Sequence, residues 1–231
     1  MTWPDAGTYA ESLTLGGHTD WRLPTNHELF NVVDHGRSKP AINTDYFTSS
    51  EAEYWWSADE RVDDNSRAWV VNAGGGIGPH AKDETRSAGG AKAYHVLCVR
   101  GPKGPATDLC DNGDGTVTDH TTGLMWERDE AGTMAWESAL SYCNSLALGG
   151  YEDWRLPNIK ELRSINDETL VYPSVSLRQF PNAVPGLYWS STTLQNHPER
   201  AWTVDFQYGL VSYNDKLEML NLRAVRNAMV P

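Results

Sequence analysis

The residues of this sequence that could carry out chemistry are seven histidines, three cysteines and a group of aspartates near the middle of the chain. The histidines form no HExxH zinc motif, and the sequence contains no GxSxG nucleophile elbow. Cys98, Cys110 and Cys143 lie in no CxxC or Cys/His spacing of a metal site. The glycine-rich run at 74–78 lacks the Lys-Ser/Thr pair of a phosphate-binding loop. The sequence therefore predicts no catalytic residue, no metal-ligating residue and no enzyme activity.

The aspartates lie in DNGDGTVTD at 111–119, which has two competing interpretations. A calcium loop of the EF-hand type needs oxygen ligands at alternate positions, and counting back from Asp114 in steps of two reaches Cys110, which offers no oxygen. An Asp-Gly turn followed by alternating residues instead predicts a β-hairpin. We therefore expect no cofactor and keep a weakly bound calcium ion at Asp111, Asp114 and Asp119 as the alternative.

Three cysteines allow at most one disulfide and one free thiol, which is too few for a disulfide-stabilised fold. In a secreted protein we expect one bridge, and the short separation along the chain favours Cys98 with Cys110. Cys143 is then expected to be a small buried hydrophobic residue on a helix face.

Charge and hydropathy exclude several classes of partner. The 231 residues carry a formal net charge of −12 and have a pI near 4.9, so nucleic acids and anionic membrane surfaces would be repelled. No apolar run approaches the length of a membrane span, which predicts no membrane insertion. The first residues, MTWPDAGTYAESL, lack the basic and apolar regions of a signal peptide. We expect a fragment of a longer extracellular or surface protein whose signal peptide and upstream domains lie outside it.

The sequence repeats itself at an offset of 133 residues. GGHTDWRLPTNHEL at 16–29 returns as GGYEDWRLPNIKEL at 149–162. Near the end of each copy the offset falls to 126, because VLCVR at 96–100 matches LRAVR at 222–226. The chain is therefore predicted to contain two copies of one module.

Eight of the ten tryptophans fall into matched pairs, and the pairs are Trp3/Trp136, Trp21/Trp154, Trp56/Trp189 and Trp69/Trp202. A tryptophan kept in both copies is more simply explained by a common core than by a ligand, since a ligand seldom needs every contact twice. Trp55 and Trp126 have no matched partner, so they are the candidates for a surface role.

Each copy begins a helix inside the repeated motif. TNHE at 25–28 and NIKE at 158–161 place a capping residue three positions before a glutamate. Arg22 and Arg155 are predicted to clamp the preceding loop to that helix, because a guanidinium can bridge a carboxylate and backbone carbonyls.

The remaining elements follow from periodicity. A first helix is predicted at about 134–147, with a weaker counterpart in the first copy. The hairpin predicted at 111–126 has no counterpart before Met1. Short aromatic segments such as YWWSA and AWTVD predict antiparallel strands separated by long loops. The predicted domains are a first module at 1–101 that lacks its N-terminal hairpin, a linker at 102–107, and a second module at 108–231.

The ordered motifs DNGDGTVTDHTTGLMW, YCNSL, GGYEDWRLPNIKEL, YWSS, AWTVDFQYG and a closing VR resemble the C-terminal domain family of the Legionella collagen-like protein. The resemblance extends over both copies and so covers nearly the whole chain. That family looks like a branch of the C-type-lectin-like superfamily, as do formylglycine-generating enzymes, whose RLPTEAEW string is similar to RLPTNHEL. The expected fold class is α+β, with two tandem C-type-lectin-like modules, each with two helices and a small antiparallel sheet with long loops.

The resemblance implies a secreted or cell-surface bacterial module that binds an extracellular glycan or protein ligand, as an adhesin does, without catalysis. Some members bind sulfated glycosaminoglycans, which the acidic charge of this chain would repel. The alternatives are a structural or assembly subunit of an extracellular complex and an enzyme related to formylglycine-generating enzymes. The cysteines do not reproduce the close cysteine pair of those enzymes. The ligand and the oligomeric state stay open.

Specificity is expected where the copies differ, because loops on a rigid scaffold carry function more often than the scaffold does. These segments are the longer loop at 78–95 in the first copy, and LQNHPE at 194–199 with YGLVSYND at 208–215 in the second. Their aromatic rings and short polar groups suit a sugar, and the alternative is solvated loops of uneven length. The predicted ligand-binding residues are Trp55, His80, Lys82, Arg86, Asn196, His197, Tyr208, Tyr213, Asn214 and Asp215.

Overall fold

A computed structural model describes residues 1–38, 40–47, 53–86, 93–105 and 107–228. Residues 87–92 of the predicted binding loop, residue 106 of the predicted linker and residues 229–231 lie outside the described residues. The chain divides into two compact units, Met1–Gly104 and Pro105–Pro231. We call them the first unit and the second unit.

The first unit contains two helices, one larger group of paired strands and a separate short strand pair. Its elements are α1 (Trp3–Ser12), β1 (Trp21–Arg22), α2 (Asn26–Val32), β2 (Tyr54–Arg61), β3 (Asp64–Asn72), β4 (Ile77–Ala81), β5 (Tyr94–His95) and β6 (Val99–Arg100). Within this unit the strands run in the order β4-β3-β2-β5, and β5 lies parallel to β2. β1 pairs with β6 in a separate two-stranded sheet.

The second unit contains more strands. Its elements are β7 (Leu109–Asp111), β8 (Thr116–Asp119), β9 (Leu124–Glu127), β10 (Thr133–Met134), α3 (Trp136–Ser145), α4 (Ile159–Ser164), β11 (Leu187–Leu194), β12 (His197–Asp205), β13 (Leu210–Asp215), β14 (Leu220–Asn221) and β15 (Val225–Asn227). One set of strands runs β10-β14-β11-β12-β13, with β14 parallel to β11. A four-stranded antiparallel sheet runs β15-β9-β8-β7.

The expected fold class is wrong. Strands hold 35% of the residues and the four short helices 15%, and the sheets are large and mixed rather than small and antiparallel. The error arose because segments read as loops continue the strands: LQNHPE lies across the β11–β12 turn, and VSYND belongs to β13. The α+β description with tandem lectin-like modules is therefore replaced by a mostly β chain.

Several local predictions are confirmed. α3 lies within the predicted helix, and β8 pairs with β9 in the predicted hairpin, with Val117 opposite Trp126. Thr25 and Glu28 form a capping box at the start of α2, and Asn158 and Glu161 form one at the start of α4.

The arginine clamps are confirmed. The carboxylate that each arginine binds belongs to a glutamate of the following helix and not to the neighbouring aspartate. Arg22 makes two 2.7 Å hydrogen bonds to Glu28, the capping residue of α2, and also donates to the Gly101 carbonyl at 2.9 Å. Arg155 makes the same 2.7 Å pair with Glu161. One carboxylate thus caps a helix and holds the loop arginine, so each clamp joins three parts of its unit.

The matched tryptophans are mostly core residues. Trp56 and Trp189 are fully buried, and their indole N–H groups donate to the carbonyls of Met1 (3.1 Å) and Met134 (2.9 Å). Trp69, Trp136, Trp154 and Trp202 are also buried, whereas Trp3 and Trp21 are half-buried. Trp126 is fully buried in β9, so the surface role considered for it is wrong.

Cys98, Cys110 and Cys143 are free thiols, so the expected Cys98–Cys110 bridge is wrong. Cys143 is fully buried on α3, as expected, and burial raises the pKa of its thiol to about 12. Among the described residues, none of the helices has the length and apolar character to span a membrane.

Candidate ligand-binding site

Tyr172, Gln207 and Tyr208 form a cluster in the second unit that we call the tyrosine cluster. Tyr172 is exposed, whereas Gln207 and Tyr208 are half-buried. Tyr172 is 53% exposed, and its ring meets the Tyr208 ring edge to face with centroids 4.8 Å apart. The two hydroxyls are hydrogen-bonded to each other. Gln207 Nε2 donates to the Tyr172 hydroxyl over 3.1 Å. The cluster therefore presents aromatic faces and an amide side by side at the surface.

The backbone holds Tyr172 in an unfavourable conformation. Its φ of 56° lies in the left-handed region, which costs a non-glycine residue about 1–3 kcal/mol. The Tyr172 N–H donates to the Gln207 carbonyl at 3.0 Å, and the Ser174 N–H donates to the Phe206 carbonyl at 2.7 Å. Strain of this kind persists only where the surroundings impose it, and it concentrates at binding sites.

A glycine supports the turn that carries Gln207 and Tyr208. Gly209 has a φ of 90°, and a Cβ there would lie 2.5 Å from the side-chain amide of Asn166. The Asn166 side chain in turn hydrogen-bonds the Ser174 hydroxyl at 2.7 Å. This close approach joins the β12–β13 turn to the 166–174 loop, so both halves of the tyrosine cluster rest on one rigid base.

The first half of the sequence does not reproduce the cluster. At the offset of 133, Gly74 and Gly75 take the places of Gln207 and Tyr208. Lys39 takes the place of Tyr172 and lies outside the described residues. The cluster is therefore one of the features in which the copies differ, as a specificity site should be.

The chemistry of the cluster suits a sugar. Aromatic rings pack against the apolar C–H face of a pyranose, while an amide and hydroxyls exchange hydrogen bonds with its hydroxyls. Asp205 places a carboxylate against the cluster, because its Oδ1 accepts a hydrogen bond from the Gln207 N–H at 2.9 Å. A carboxylate beside the cluster favours neutral or cationic groups over sulfate.

The predicted residues of the second half fall in two places. Tyr208 belongs to the tyrosine cluster, whereas Tyr213, Asn214 and Asp215 lie along β13. Tyr213 is 43% exposed and meets the Trp202 ring edge to face at 5.7 Å. Asn214 is already hydrogen-bonded to Thr203 and Glu218, and Asp215 accepts from the Leu217 N–H.

The other two predicted residues of this half are exposed near the β11–β12 turn. Nδ1 of His197 lies 3.1 Å from Oε1 of Glu199, and Asn196 directly precedes His197 in the chain. They lie at the same end of the β12–β13 pair as Asp215, which is opposite Arg200. The sequence prediction therefore combined residues from both ends of one strand pair.

The predicted residues of the first half do not form one site. Trp55 is only 4% exposed in β2, which contradicts a surface role. Lys82 pairs with Glu60 at 2.7 Å and lies 4.6 Å from the Trp3 ring centre. Arg86 is exposed, and its backbone forms a bridge with Ala93.

His80 belongs to a small hydrogen-bonded group with Tyr94 and Glu84. The Tyr94 hydroxyl lies 2.6 Å from His80 Nδ1 and donates to Glu84 Oε2 at 2.7 Å. Burial raises the pKa of the Tyr94 hydroxyl far above its usual value, and the Glu84 carboxylate adds to the effect. This group fixes β4 to β5 through side chains that are already satisfied.

An open groove of about 890 Å³ borders the repeated motif of the second unit. Its polar lining includes Tyr151, Asp153 and Arg226. The Arg226 guanidinium already has two partners within the protein. It lies 3.6 Å from the centre of the Tyr151 ring and pairs with Asp153 at 2.6 Å. The tyrosine cluster, by contrast, has a Tyr172 ring that is 53% exposed.

The three aspartates that were the alternative calcium ligands each bind a different partner within the protein. Asp111 pairs with Arg128 at 2.9 Å, Asp114 accepts from Thr116, and Asp119 accepts from Thr121 and Thr122. In the part of the chain that the structure describes, no three His, Cys, Asp or Glu side chains gather as a metal site would require.

Two carboxyl groups with raised pKa values lie in the core rather than in a cleft. Burial raises the pKa of Glu127, which accepts from the Tyr142 hydroxyl at 2.5 Å. Burial also raises the pKa of Glu130, although Arg223 pairs with it. Both carboxyl groups accept a hydrogen bond from a tyrosine hydroxyl of the second unit, Glu127 from Tyr142 and Glu130 from Tyr188.

These features define a mostly β protein with a repeated tryptophan-containing motif and an aromatic surface cluster. The chain belongs to the Lcl C-terminal domain family, whose model matches residues 1–100 and 115–226. Membership is consistent with a bacterial surface protein. None of the curated proteins compared with the chain matches it.

Proposed function

We propose that this chain is a surface ligand-binding protein that binds a glycan through the tyrosine cluster, without catalysis. The observation that carries the proposal is the exposed Tyr172 ring, held at a positive φ and hydrogen-bonded by Gln207. An exposed aromatic ring that is fixed before binding loses little conformational entropy when a ligand packs on it.

The proposed ligand is neutral or carries an amine. The net charge of −12 and the carboxylate of Asp205 oppose a sulfated polymer.

We further propose that the chain holds two copies of the family domain and lies on the bacterial surface or is secreted. Kinship with the C-type-lectin-like superfamily stays a prediction.

A glycan array tests the function. The chain should bind neutral or amino sugars in preference to sulfated ones, with or without calcium. Gln207→Ala should weaken binding about tenfold, because one hydrogen bond to a ligand hydroxyl is worth about 1–1.5 kcal/mol. Gln195→Ala is the matched control, since it removes an exposed glutamine of the same unit outside the cluster. Equal loss in both variants, or selective binding of sulfated glycans, would exclude the proposal.

An assembly role is the second candidate, because the β13–β14 loop exposes two large apolar side chains. Leu217 is 85% exposed and Met219 is 62% exposed. Isolated apolar residues are common on surfaces, so this observation is weaker than the tyrosine cluster. Leu217→Ser with Met219→Ser would abolish assembly of a structural subunit and leave glycan binding unchanged.

A further inference from the structure

One edge of strand β6 in the first unit is open as far as the described residues of the chain show. In the described residues, β6 pairs with β1 and with no other strand. Residues 96–99 are half-buried and Arg100 is exposed. The sequence here, VLCVR, is mostly apolar, so exposure is unexpected for four of its five residues.

The matched run of the second unit is fully covered. Residues 222–226 are between 0% and 3% exposed. The cover is β9, which pairs with β15 so that Trp126 lies opposite Val225 and Met125 lies opposite Arg226. The Glu127 N–H also donates to the Ala224 carbonyl at 2.9 Å.

Two further contacts are the same in both runs and so do not account for the difference. Arg155 and Val225 exchange two 2.9 Å backbone hydrogen bonds, and Arg22 pairs with Val99 at the matched positions. Arg226 pairs with Asp153, and Arg100 pairs with Asp20. Yet the Arg226 side chain is 4% exposed and the Arg100 side chain 44%.

Three side chains of the first unit are also more exposed than their counterparts in the second unit, where the hairpin is present. Trp154 is 2% exposed, whereas Trp21 is half-buried. Tyr142 donates its hydroxyl to Glu127, whereas Tyr9, at the matched position, is 46% exposed. Leu15 is 57% exposed, whereas its counterpart Leu148 is half-buried.

We propose that the open edge of β6, with Tyr9, Leu15 and Trp21, binds a β-hairpin of the kind that residues 109–127 form, supplied from outside these 231 residues. The inference rests on the proposed two-copy organisation. The hairpin at 109–127 is committed to the second unit, where it forms the β15-β9-β8-β7 sheet. Pairing of an added strand with a free sheet edge is a general mode of peptide recognition.

The second unit specifies the chemistry of the added strand. Met125 joins the apolar core, and two residues later Glu127 accepts from the Ala224 N–H at 3.1 Å and from the Tyr142 hydroxyl. The matched donors of the first unit are the Cys98 N–H and the Tyr9 hydroxyl. The added strand should therefore carry a large apolar residue followed two positions later by a glutamate.

A fusion tests the proposal in the full chain. Residues 107–133, with Cys110→Ser, are copied directly before Met1, because residue 133 precedes Met134, the match of Met1. Covalent attachment keeps the hairpin at high effective concentration, which matters because an isolated hairpin is marginally stable. Exchange of the Cys98 and Arg100 amide hydrogens should slow at least tenfold, and the indole N–H signal of Trp21 in the NMR spectrum should shift. The control fusion carries Met125→Lys and Glu127→Lys in the copied hairpin and should show neither effect.

Tyr9→Phe separates specific docking from general crowding. It should lower the unfolding midpoint of the fusion and leave that of the parent chain unchanged. Unchanged amide exchange in the fusion, or equal protection in the control fusion, would overturn the proposal. Protection of the same amides in a dimer of the parent chain, detected by sedimentation, would also overturn it, since a second copy would then cover the edge. None of these measurements depends on glycan binding, so the two proposals fail separately.

Discussion

A single carboxylate links local and tertiary structure in the first unit. Glu28 accepts hydrogen bonds from both terminal nitrogens of Arg22 at 2.7 Å and from the Thr25 N–H at 2.8 Å. The Arg22 hydrogen bonds and the helix-capping bond together lower the pKa of Glu28 from 4.5 to about 2, although burial opposes them. The stability of the clamp must therefore depend on pH.

We expect Glu28→Gln to destabilise the first unit by about 2 kcal/mol at pH 7. A carboxylate with a lowered pKa stabilises the fold above its unfolded pKa and loses that contribution as the pH falls through the folded value. The difference between Glu28→Gln and the parent chain should therefore shrink between about pH 4.5 and pH 2. Urea unfolding at several pH values measures it, with the exposed Glu11→Gln as control. A difference that stays constant with pH would contradict the assignment.

We expect Tyr172→Gly to separate stability from binding. Glycine adopts the φ of 56° without strain, so the variant should unfold at the same temperature as the parent chain or a few degrees higher. Glycan binding should nevertheless be lost, because the exposed ring is gone. Calorimetry and a glycan titration check the two results, and a large loss of stability would mean that Tyr172 is a packing residue.

At the scale of the element, the β12–β13 turn depends on one glycine. Gly209→Ala should destabilise the second unit by about 1–3 kcal/mol, because the alanine would be strained at a φ of 90° and its Cβ would meet Asn166 at 2.5 Å. Thermal unfolding measures the effect. Gly78→Ala in β4 is the control, since a Cβ there meets nothing within 4 Å. Equal effects of the two substitutions would show that the close approach to Asn166 is unimportant.

The elements also show what sequence could and could not predict. The capping boxes, α3 and the β8–β9 hairpin were predictable because each depends on residues a few positions apart. The extent of β11 and β12 was not, because their outer parts, STTL and HPER, are largely polar and mostly accessible to solvent and so lack an apolar alternation.

The tyrosine cluster was predictable only in part. Tyr208 stood in a segment where the copies differ, but Tyr172 gave no local signal. A residue before proline is biased toward extended conformations, so the sequence VYPS argues against the positive φ that Tyr172 adopts. That conformation depends on the Gln207 carbonyl, which lies far along the chain.

At the scale of the whole molecule, carboxyl groups with opposite pKa shifts lie in the two units. Glu28 stabilises the first unit at neutral pH, whereas burial raises the pKa of Glu127 and Glu130 in the second. A carboxyl group with a raised pKa contributes stability that is present below its unfolded pKa and is lost as the pH rises through the folded value. Glu127 and Glu130 should therefore contribute less stability to the second unit as the pH rises above about 4.5, whereas Asp153, whose pKa Arg226 lowers, contributes in the opposite sense.

We expect Glu127→Gln to flatten that dependence, because it removes a carboxyl that contributes up to about 1.4 kcal/mol per pH unit over its titration range. The amide can still accept from Tyr142, so the variant should fold, although its free energy of unfolding below pH 4.5 should fall. Hydrogen exchange of β12 and β13 between pH 4.5 and pH 8, corrected for the intrinsic exchange rate, reports the second unit separately from the first. Glu137→Gln, exposed on α3, is the matched control and should leave the slope unchanged. A Glu127→Gln variant with the same slope as the parent chain would contradict the raised pKa of Glu127 and show that Arg223 and Tyr142 outweigh burial.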